Sequence, residues 1–300
     1  MDFGFFIEVL VAGLLSGVMY TLVALGFVLI YKASGVFNFA QGAMVFFAAM
    51  TCVGLMEKFH LSLWVAIPLS IVVMVVLGLV IEKFVLRRLV NQPEISLFMA
   101  TIGLGYFLEG LAQLLFGSGT HKLELPIEDV PISWLLDRFN INISQFDVVA
   151  AAICAILVIS LALMFSKTKV GRALRAVADD HQAALAVGIP LQQIWGIVWA
   201  VAGLVALVAG LLWGARNGVQ FSLTFVALKA LPVLILGGFT SMPGAIVGGL
   251  IIGASEKLAE VYLGPMVNGG IEGWFPYVLA LLFLLVRPEG LFGEKIIRRI

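Results

Sequence analysis

The 300-residue chain is 62% hydrophobic and only 12% charged, whereas soluble domains are roughly 45 to 50% apolar. Its 18 basic and 18 acidic residues cancel, so it lacks the net positive charge that attracts nucleic acid, and we expect no nucleic-acid partner. These properties exclude an ordinary soluble enzyme and predict an integral membrane protein in contact with lipid.

Apolar runs long enough to cross a bilayer recur along the chain. A transmembrane helix needs about 20 mostly apolar residues. The first run is too long for a cleaved signal peptide, so we expect it to remain as a span. The pattern predicts an all-α polytopic bundle of about nine transmembrane helices, within a range of about eight to ten. The runs lie at about residues 5–31, 36–57, 61–82, 96–116, 148–166, 192–214, 223–241, 244–263 and 274–287.

Basic residues near the ends of the runs predict the orientation of the chain. Lys and Arg concentrate in cytoplasmic loops, and here they cluster at residues 83–88, 167–175 and 287–299. We therefore place these clusters, and the C-terminus, in the cytoplasm. Residues 117–147 hold five acidic and two basic residues, which favours an external loop. No segment between runs is long enough for a separate soluble domain, so residues 1–300 are predicted to form one transmembrane domain.

A weak internal repeat relates the two halves of the chain. Residues 35–45 (GVFNFAQGAMV) and 237–247 (GGFTSMPGAIV) are identical at five of eleven positions. Glycine-rich, turn-prone segments at corresponding places in two halves are typical of broken helices that line a transport path. The alternative is that these glycines only allow helices to pack closely. Asn38 and Gln41 are the polar side chains of the first segment that we expect to face a path, unless they cap a helix.

Ionisable residues also occur inside the apolar runs. Charge at membrane depth is costly, so each such residue is a candidate site. Glu109 and Lys229 are single charges within runs, and a structural role is favoured over substrate binding for both. Glu256, Lys257 and Glu260 form a cluster near the end of a run, and we interpret it as an interfacial group.

Residues 167–191 form a polar island between two long apolar runs. Within it Val170, Leu174 and Val177 recur at helical spacing on one face, which predicts a short amphipathic helix. Arg172, Arg175 and Asp179 fall on another face of that helix. A second turn of helix is expected to follow, capped by Asp179 or Asp180 and stopped by Gly188 and Pro190. The segment is either a water-facing connector or a surface that binds a partner.

The motifs of common enzymes are absent from the sequence. It contains no phosphate-binding G-x-x-x-x-G-K-[ST] loop, no H-E-x-x-H and no G-x-S-x-G. Its three histidines are scattered and its two cysteines lie inside apolar runs, so we expect no metal site, no cofactor and no catalytic residue. Three classes remain open: a transporter powered by a partner, a transporter driven by an ion gradient, and a membrane scaffold.

Four motifs together resemble a known family. They are LIYKASGVFNFAQGA, KTKVGRALRAVADDHQAALAVGI, LKALPVLILGGFTSMPGAIVGG and VRPEGLFG, and they are spread over residues 29–293. They resemble the permease subunits of bacterial ABC importers for branched-chain amino acids, in particular the shorter permease of the pair. The permeases of urea and short-chain amide importers are similar and form the alternative.

The resemblance implies partners and site residues. The implied partners are two ABC ATPase subunits, a second homologous permease and an external substrate-binding protein, in a bacterial plasma membrane. This chain has Gln41 where the family usually has His. The positions that match the family's ATPase-coupling loop are Gly171, Arg172, Ala173, Arg175, Ala176 and Asp179. The positions implied for the translocation path are Asn38, Phe39, Gln41, Gly42, Gly237, Gly238 and Gly244.

Overall fold

The computed structural model describes residues 3–89 and 92–293, and these are helical almost throughout. In those ranges the extended backbone pairs only as two isolated β-bridges. Short 3₁₀ turns lie at 86–89, 221–225, 264–266 and 271–273. The α-helices are α1 (Phe3–Ser34), α2 (Gln41–Phe59), α3 (Leu63–Phe84), α4 (Glu94–Phe116), α5 (Ser133–Phe139), α6 (Gln145–Lys167), α7 (Lys169–Asp179), α8 (His181–Ala186), α9 (Leu191–Asn217), α10 (Val226–Gly237), α11 (Met242–Tyr262) and α12 (Phe275–Val286).

The predicted helical membrane fold is confirmed, but the count of nine spans is not. Six helices in the described ranges are long and apolar enough to cross a membrane: α1, α2, α3, α4, α6 and α9. The runs predicted at 223–241 and 244–263 form a pair bent by 115°, which adds at most one span. The last run forms only the 12-residue α12, about 18 Å long, which is shorter than the hydrocarbon core of about 30 Å.

The helix break in the second half explains why composition overcounts the spans. Gly238 has a φ of +104°, a left-handed conformation that ends α10. Ser241 then caps α11, because its hydroxyl accepts a hydrogen bond from the Gly244 N–H at 3.0 Å. Pro243 occupies the first turn of α11, where its missing N–H costs nothing. The break falls between the two predicted runs, and α10 has only 12 residues, so the two runs together add at most one span.

Two compact units divide the chain. The first unit holds residues 1–24, 126–158 and 228–300, and the second holds residues 25–125 and 159–227. They are interleaved in sequence, because α1 and α6 each begin in the first unit and end in the second.

Glycines bring helix backbones together in the second unit. A Cβ added to Gly78 of α3 would lie 2.6 Å from the carbonyl oxygen of Trp199 on α9. A Cβ on Gly203 of α9 would lie 2.7 Å from the carbonyl oxygen of Met74. Such contacts require small residues. In this unit α9 and α2 are mostly enclosed, with 72% of each apolar window buried, while α3 and α4 are 28% and 22% buried and present wide apolar faces.

Close backbone contacts at glycines also join α1 and α11 in the first unit. A Cβ on Gly253 would lie 2.4 Å from the carbonyl oxygen of Gly13, and one on Gly17 would lie 2.4 Å from the carbonyl oxygen of Gly249. The two contacts are one helical turn apart on each helix, so the backbones of α1 and α11 run in direct contact over that turn.

Candidate functional site

The polar island at 167–191 folds as two short helices, as the sequence predicts. Thr168 begins α7, because its hydroxyl accepts a hydrogen bond from the Gly171 N–H at 3.0 Å. The buried residues of α7 are Gly171, Leu174 and Val177. Val170, which we predicted to share that face, is only half-buried. The apolar face of α7 is therefore shifted slightly from the sequence prediction, and the amphipathic helix itself is confirmed.

Asp180, and not Asp179, caps the second helix. Its carboxylate accepts hydrogen bonds from the N–H groups of Gln182 and Ala183 at 2.7 and 3.0 Å. Gly188 follows α8 with a φ of +84°, which ends the helix at the predicted place. Leu185 and Val187 are 54% and 75% exposed. The surface of α7 and α8 thus carries exposed apolar side chains beside exposed charge.

The residues predicted to couple to an ATPase divide into an inner and an outer set. Gly171 is buried, and a Cβ there would lie 2.1 Å from the carbonyl oxygen of Phe165 at the end of α6. Ala173 and Ala176 are half-buried. Arg172 and Asp179 are exposed. The outer set alone is accessible for charge pairing with a partner.

Arg175 belongs to the inner set. Its guanidinium donates hydrogen bonds to the carbonyl oxygens of Phe165 and Ser166 and lies over the Phe165 ring at 5.5 Å. These carbonyls lie in the last turn of α6, where the backbone lacks intrahelical donors. A cation there also complements the helix dipole. Arg175 therefore fixes α7 to the end of a membrane-spanning helix.

The C-terminal end of α1 and the N-terminal end of α9 lie at the same end of the second unit as α7. The Lys32 ammonium lies 5.1 Å from the centroid of the Phe165 ring. The indole N–H of Trp195 donates a hydrogen bond to the carbonyl oxygen of Ala33 at 2.9 Å. The segment that joins α1 to α2 and holds the first glycine-rich motif therefore begins beside this cluster.

Asn38 and Gln41, predicted to face a path, are fully buried and pair with each other. The amide nitrogen of Asn38 donates to the side-chain oxygen of Gln41 at 3.2 Å. The side-chain oxygen of Asn38 accepts from the Ala40 N–H at 3.1 Å and so shapes the turn that begins α2. The Gln41 amide nitrogen has no hydrogen-bond partner among the described residues. Asn38 thus stabilises the turn that precedes α2 without capping the helix, whose N-cap residue is Ala40.

Phe39 and Gly42 flank that pair. Phe39 is 43% exposed and meets Phe98 of α4 edge to face at 4.7 Å. Gly42 is enclosed, since a Cβ there would lie 2.2 Å from the carbonyl oxygen of Thr224. Of the four residues of this motif, Phe39 alone presents a large accessible side chain.

Gly237, Gly238 and Gly244 form the buried corner between α10 and α11 in the first unit. A Cβ on Gly237 would lie 2.3 Å from the carbonyl oxygen of Gly244. The C-terminal segment closes this corner, because the N–H groups of Leu291 and Phe292 donate to the carbonyls of Leu236 and Gly237 at 2.8 and 3.1 Å. The broken helix predicted from the repeat is present, and its glycines serve close packing. The role of both motifs in a path remains a prediction.

The cluster at 256–260 departs from its interfacial interpretation. Glu256 is 1% exposed and is bound by Lys229 and Tyr20. By contrast Lys257 pairs with Glu272 at 2.9 Å where both side chains are partly exposed. Glu260 accepts hydrogen bonds from the N–H groups of Gly270 and Glu272. This helix thus holds one buried charge and two half-buried charges within five residues, and Glu109 is half-buried on α4.

A sequence model of a known family covers most of this chain. The model for the branched-chain amino acid transport system, permease component, matches residues 9–287. The chain belongs to this family. It is therefore a multi-pass helical membrane protein and a permease subunit of the ABC type.

Relatives of this permease align over its full length. It is 27% identical over 309 residues to the high-affinity branched-chain amino acid transport system permease protein LivH of Salmonella typhimurium, covering 100% of this chain and 99% of LivH. It is 27% identical over 308 residues to the corresponding protein BraD of Pseudomonas aeruginosa, covering 98% of each. A solved structure, PsaBC from Streptococcus pneumoniae in complex with Fab, shares 15% identity over 92% of this chain and 89% of that chain, with a TM-score of 0.45.

Two features of the permease were missed by reasoning from sequence. Thr168 as the cap of α7 carries a local signal, a Thr just before an amphipathic pattern. Tyr20, which binds Glu256 across 236 residues of chain, carries none, because a tyrosine in an apolar run has no distinguishing neighbour.

In the described ranges no group of three or more His, Cys, Asp and Glu side chains is arranged to hold a metal ion.

Proposed function

We propose that the permease is the transmembrane subunit of an ABC importer for branched-chain, hydrophobic amino acids. The family match and the branched-chain amino acid transport systems to which LivH and BraD belong support this substrate class over urea or amides. The proposal places the chain in a plasma membrane as one permease domain over residues 1–300, with the C-terminus in the cytoplasm. Of the basic residues behind that orientation, Lys295, Arg298 and Arg299 lie outside the described residues.

One observation carries the proposal: α7 is fixed to a membrane span on one side and exposed on the other. Arg175 and Gly171 fasten α7 to the end of α6. Arg172 and Asp179 stay accessible, and Leu185 and Val187 add exposed apolar side chains to the same surface. A surface of this kind suits one of the two ATPase subunits, which would bind it and transmit its motion to the spans.

The remaining partners follow from the exposed faces and from the family. The wide apolar faces of α3 and α4 suit lipid or a second, homologous permease. An external binding protein would deliver the amino acid, and ATP-driven closure of the ATPase pair would switch the path between outward and inward access. In this proposal the corners at Asn38–Gly42 and Gly237–Gly244 allow the spans next to the path to rearrange.

Reconstitution tests the proposal. The permease is co-expressed with the ATPases, the second permease and the binding protein encoded beside it, and the complex is placed in proteoliposomes. Uptake of labelled leucine should require ATP on the ATPase side and should persist when ion gradients are collapsed. Uptake without ATP that stops when an ion gradient is removed would identify a secondary transporter instead.

A further inference from the structure

The first unit holds a partly buried ion pair that links three helices. The Lys229 ammonium of α10 lies 2.9 Å from Oε1 of Glu256 on α11. The Tyr20 hydroxyl of α1 donates to the same carboxylate oxygen at 3.1 Å. Tyr20 lies near the middle of the 32-residue α1, about 25 Å from its beginning. Ionisable groups at that depth are costly to maintain and typically mark sites.

The pair is not fully satisfied. Glu256 uses Oε1 for both hydrogen bonds, while its buried Oε2 has no partner among the described residues. A buried carboxylate that serves only structure normally has both oxygens hydrogen-bonded, because an unpaired buried acceptor costs free energy. Oε2 is therefore available to accept a hydrogen bond from a ligand.

Access to the pair comes from the side of Lys229. The Glu256 side chain is 2% exposed, whereas that of Lys229 is 31% exposed. Leu228, the neighbour of Lys229 in α10, is 47% exposed and supplies apolar surface beside the charge. An ammonium has three N–H donors, and those directed at Glu256 and at the Tyr20 oxygen (3.4 Å) account for two of them.

The other wall of the site is held in place. The glycine contacts between Gly13 and Gly253 and between Gly17 and Gly249 set the backbones of α1 and α11 against each other just before Tyr20 and Glu256. The carboxylate therefore has a fixed position, while Lys229 extends from a different helix on a flexible stem.

We propose that Tyr20, Lys229 and Glu256 form a binding site for the charged end of a zwitterionic α-amino acid. The ligand's ammonium donates to Oε2 of Glu256, and its carboxylate accepts from the Lys229 ammonium, which turns away from Oε1. Glu256 and Lys229 then each pair with one charge of the ligand, so both ligand charges are neutralised at membrane depth. The apolar side chain of the ligand lies against surface such as Leu228. A neutral molecule such as urea offers no such exchange. This inference rests on the proposed function.

The first test removes both charges together in the reconstituted complex. The variant Lys229→Met/Glu256→Gln keeps side-chain size and leaves no unpaired buried charge. Its matched control is Lys257→Met/Glu272→Gln, which removes an equally short ion pair of the same unit from a more exposed position. We expect leucine uptake to fall at least about tenfold in the first variant, with ATPase activity stimulated by the binding protein within about twofold of wild type, and no loss of uptake in the control. Uptake by the first variant within about twofold of wild type would show a structural pair and overturn the site.

The second test uses the unaltered complex and does not depend on any variant folding. Lys229 is acylated with an amine-reactive reagent, and its modification is followed by mass spectrometry with Lys257 as the internal reference. L-leucine should slow acylation of Lys229 but not of Lys257, and urea should slow neither. Equal acylation of Lys229 with and without saturating leucine would overturn the proposal. If the wild-type complex shows no ATP-dependent leucine uptake at all, it is the proposed function that fails.

Discussion

The guanidinium of Arg175 binds the backbone carbonyl of Phe165, so a surface helix is tied to the last turn of a membrane span. Arg175 lies on the half-buried side of α7, while Arg172 of the preceding turn is exposed. One charged residue thus connects α7 to the membrane part of the permease, and the other faces outward.

Replacing Arg175 by Met should uncouple ATP hydrolysis from leucine uptake while the complex stays assembled. The change removes hydrogen bonds to the carbonyls of Phe165 and Ser166, a loss of about 1 to 2 kcal/mol for the attachment of α7 to α6. We expect ATPase subunits to co-purify in normal amount and to hydrolyse ATP, while leucine uptake falls several-fold. Uptake equal to wild type would show that this attachment does not transmit motion.

Reversing the charge of Arg172 should act on assembly instead. Arg172→Glu places a like charge where we expect an acidic partner surface, so co-purification of the ATPase subunits should drop about tenfold or more. Arg138→Glu is the control, because Arg138 is an exposed basic residue of the predicted external loop. If Arg172→Glu leaves both co-purification and uptake unchanged, the coupling assignment is wrong.

Gly171 should tolerate no side chain. A Cβ there meets the Phe165 carbonyl oxygen at 2.1 Å, so Gly171→Ala must push α7 away from α6 at a cost of about 1 to 3 kcal/mol. Gly110→Ala in α4 has open space around the new methyl and should be neutral or stabilising by up to about 1 kcal/mol. Thermal unfolding of the purified permease compares the two. Equal midpoints for both variants would contradict the close contact.

Asn38 should affect stability more than transport selectivity. Asn38→Ala removes the acceptor of the Ala40 N–H and the donor to Gln41, and we expect a loss of about 1 to 3 kcal/mol in unfolding free energy. Phe39→Ala, at the more exposed neighbour, should cost less stability. Substrate competition profiles measured on the surviving Asn38→Ala complex should match those of wild type. A changed competition profile in an Asn38→Ala complex as stable as wild type would show that Asn38 lines the path.

The sequence was sufficient for features set by local chemistry. The amphipathic pattern of Leu174 and Val177 predicted α7, and Gly188 predicted the end of α8, because caps and helical periodicity depend on neighbouring residues. The break between α10 and α11 was also predicted from its glycines. The number of spans was not, because hydropathy measures composition and does not register that α10 and α12 are only 12 residues long or that α10 and α11 form a bent pair.

Features that depend on distant residues could not be read from sequence. Glu256 is spaced like a surface residue of the Glu260 cluster, and only the packing of α1 and α10 against α11 buries it. In the same way Arg175 has the spacing of an outward charge, but the end of α6 offers it backbone carbonyls. In both cases a tertiary partner outweighs the local pattern.

Site-specific photo-crosslinking tests the central claim, that α7 and α8 form the surface on which the ATPase subunits act. A photoreactive amino acid replaces Leu185, which is 54% exposed at the end of α8, and in a parallel complex it replaces Arg138. Our account predicts a crosslink from position 185 to an ATPase subunit, with a yield that changes when ATP is bound, and no such crosslink from position 138. Absence of an ATPase crosslink at position 185 in a complex that still imports leucine would contradict it.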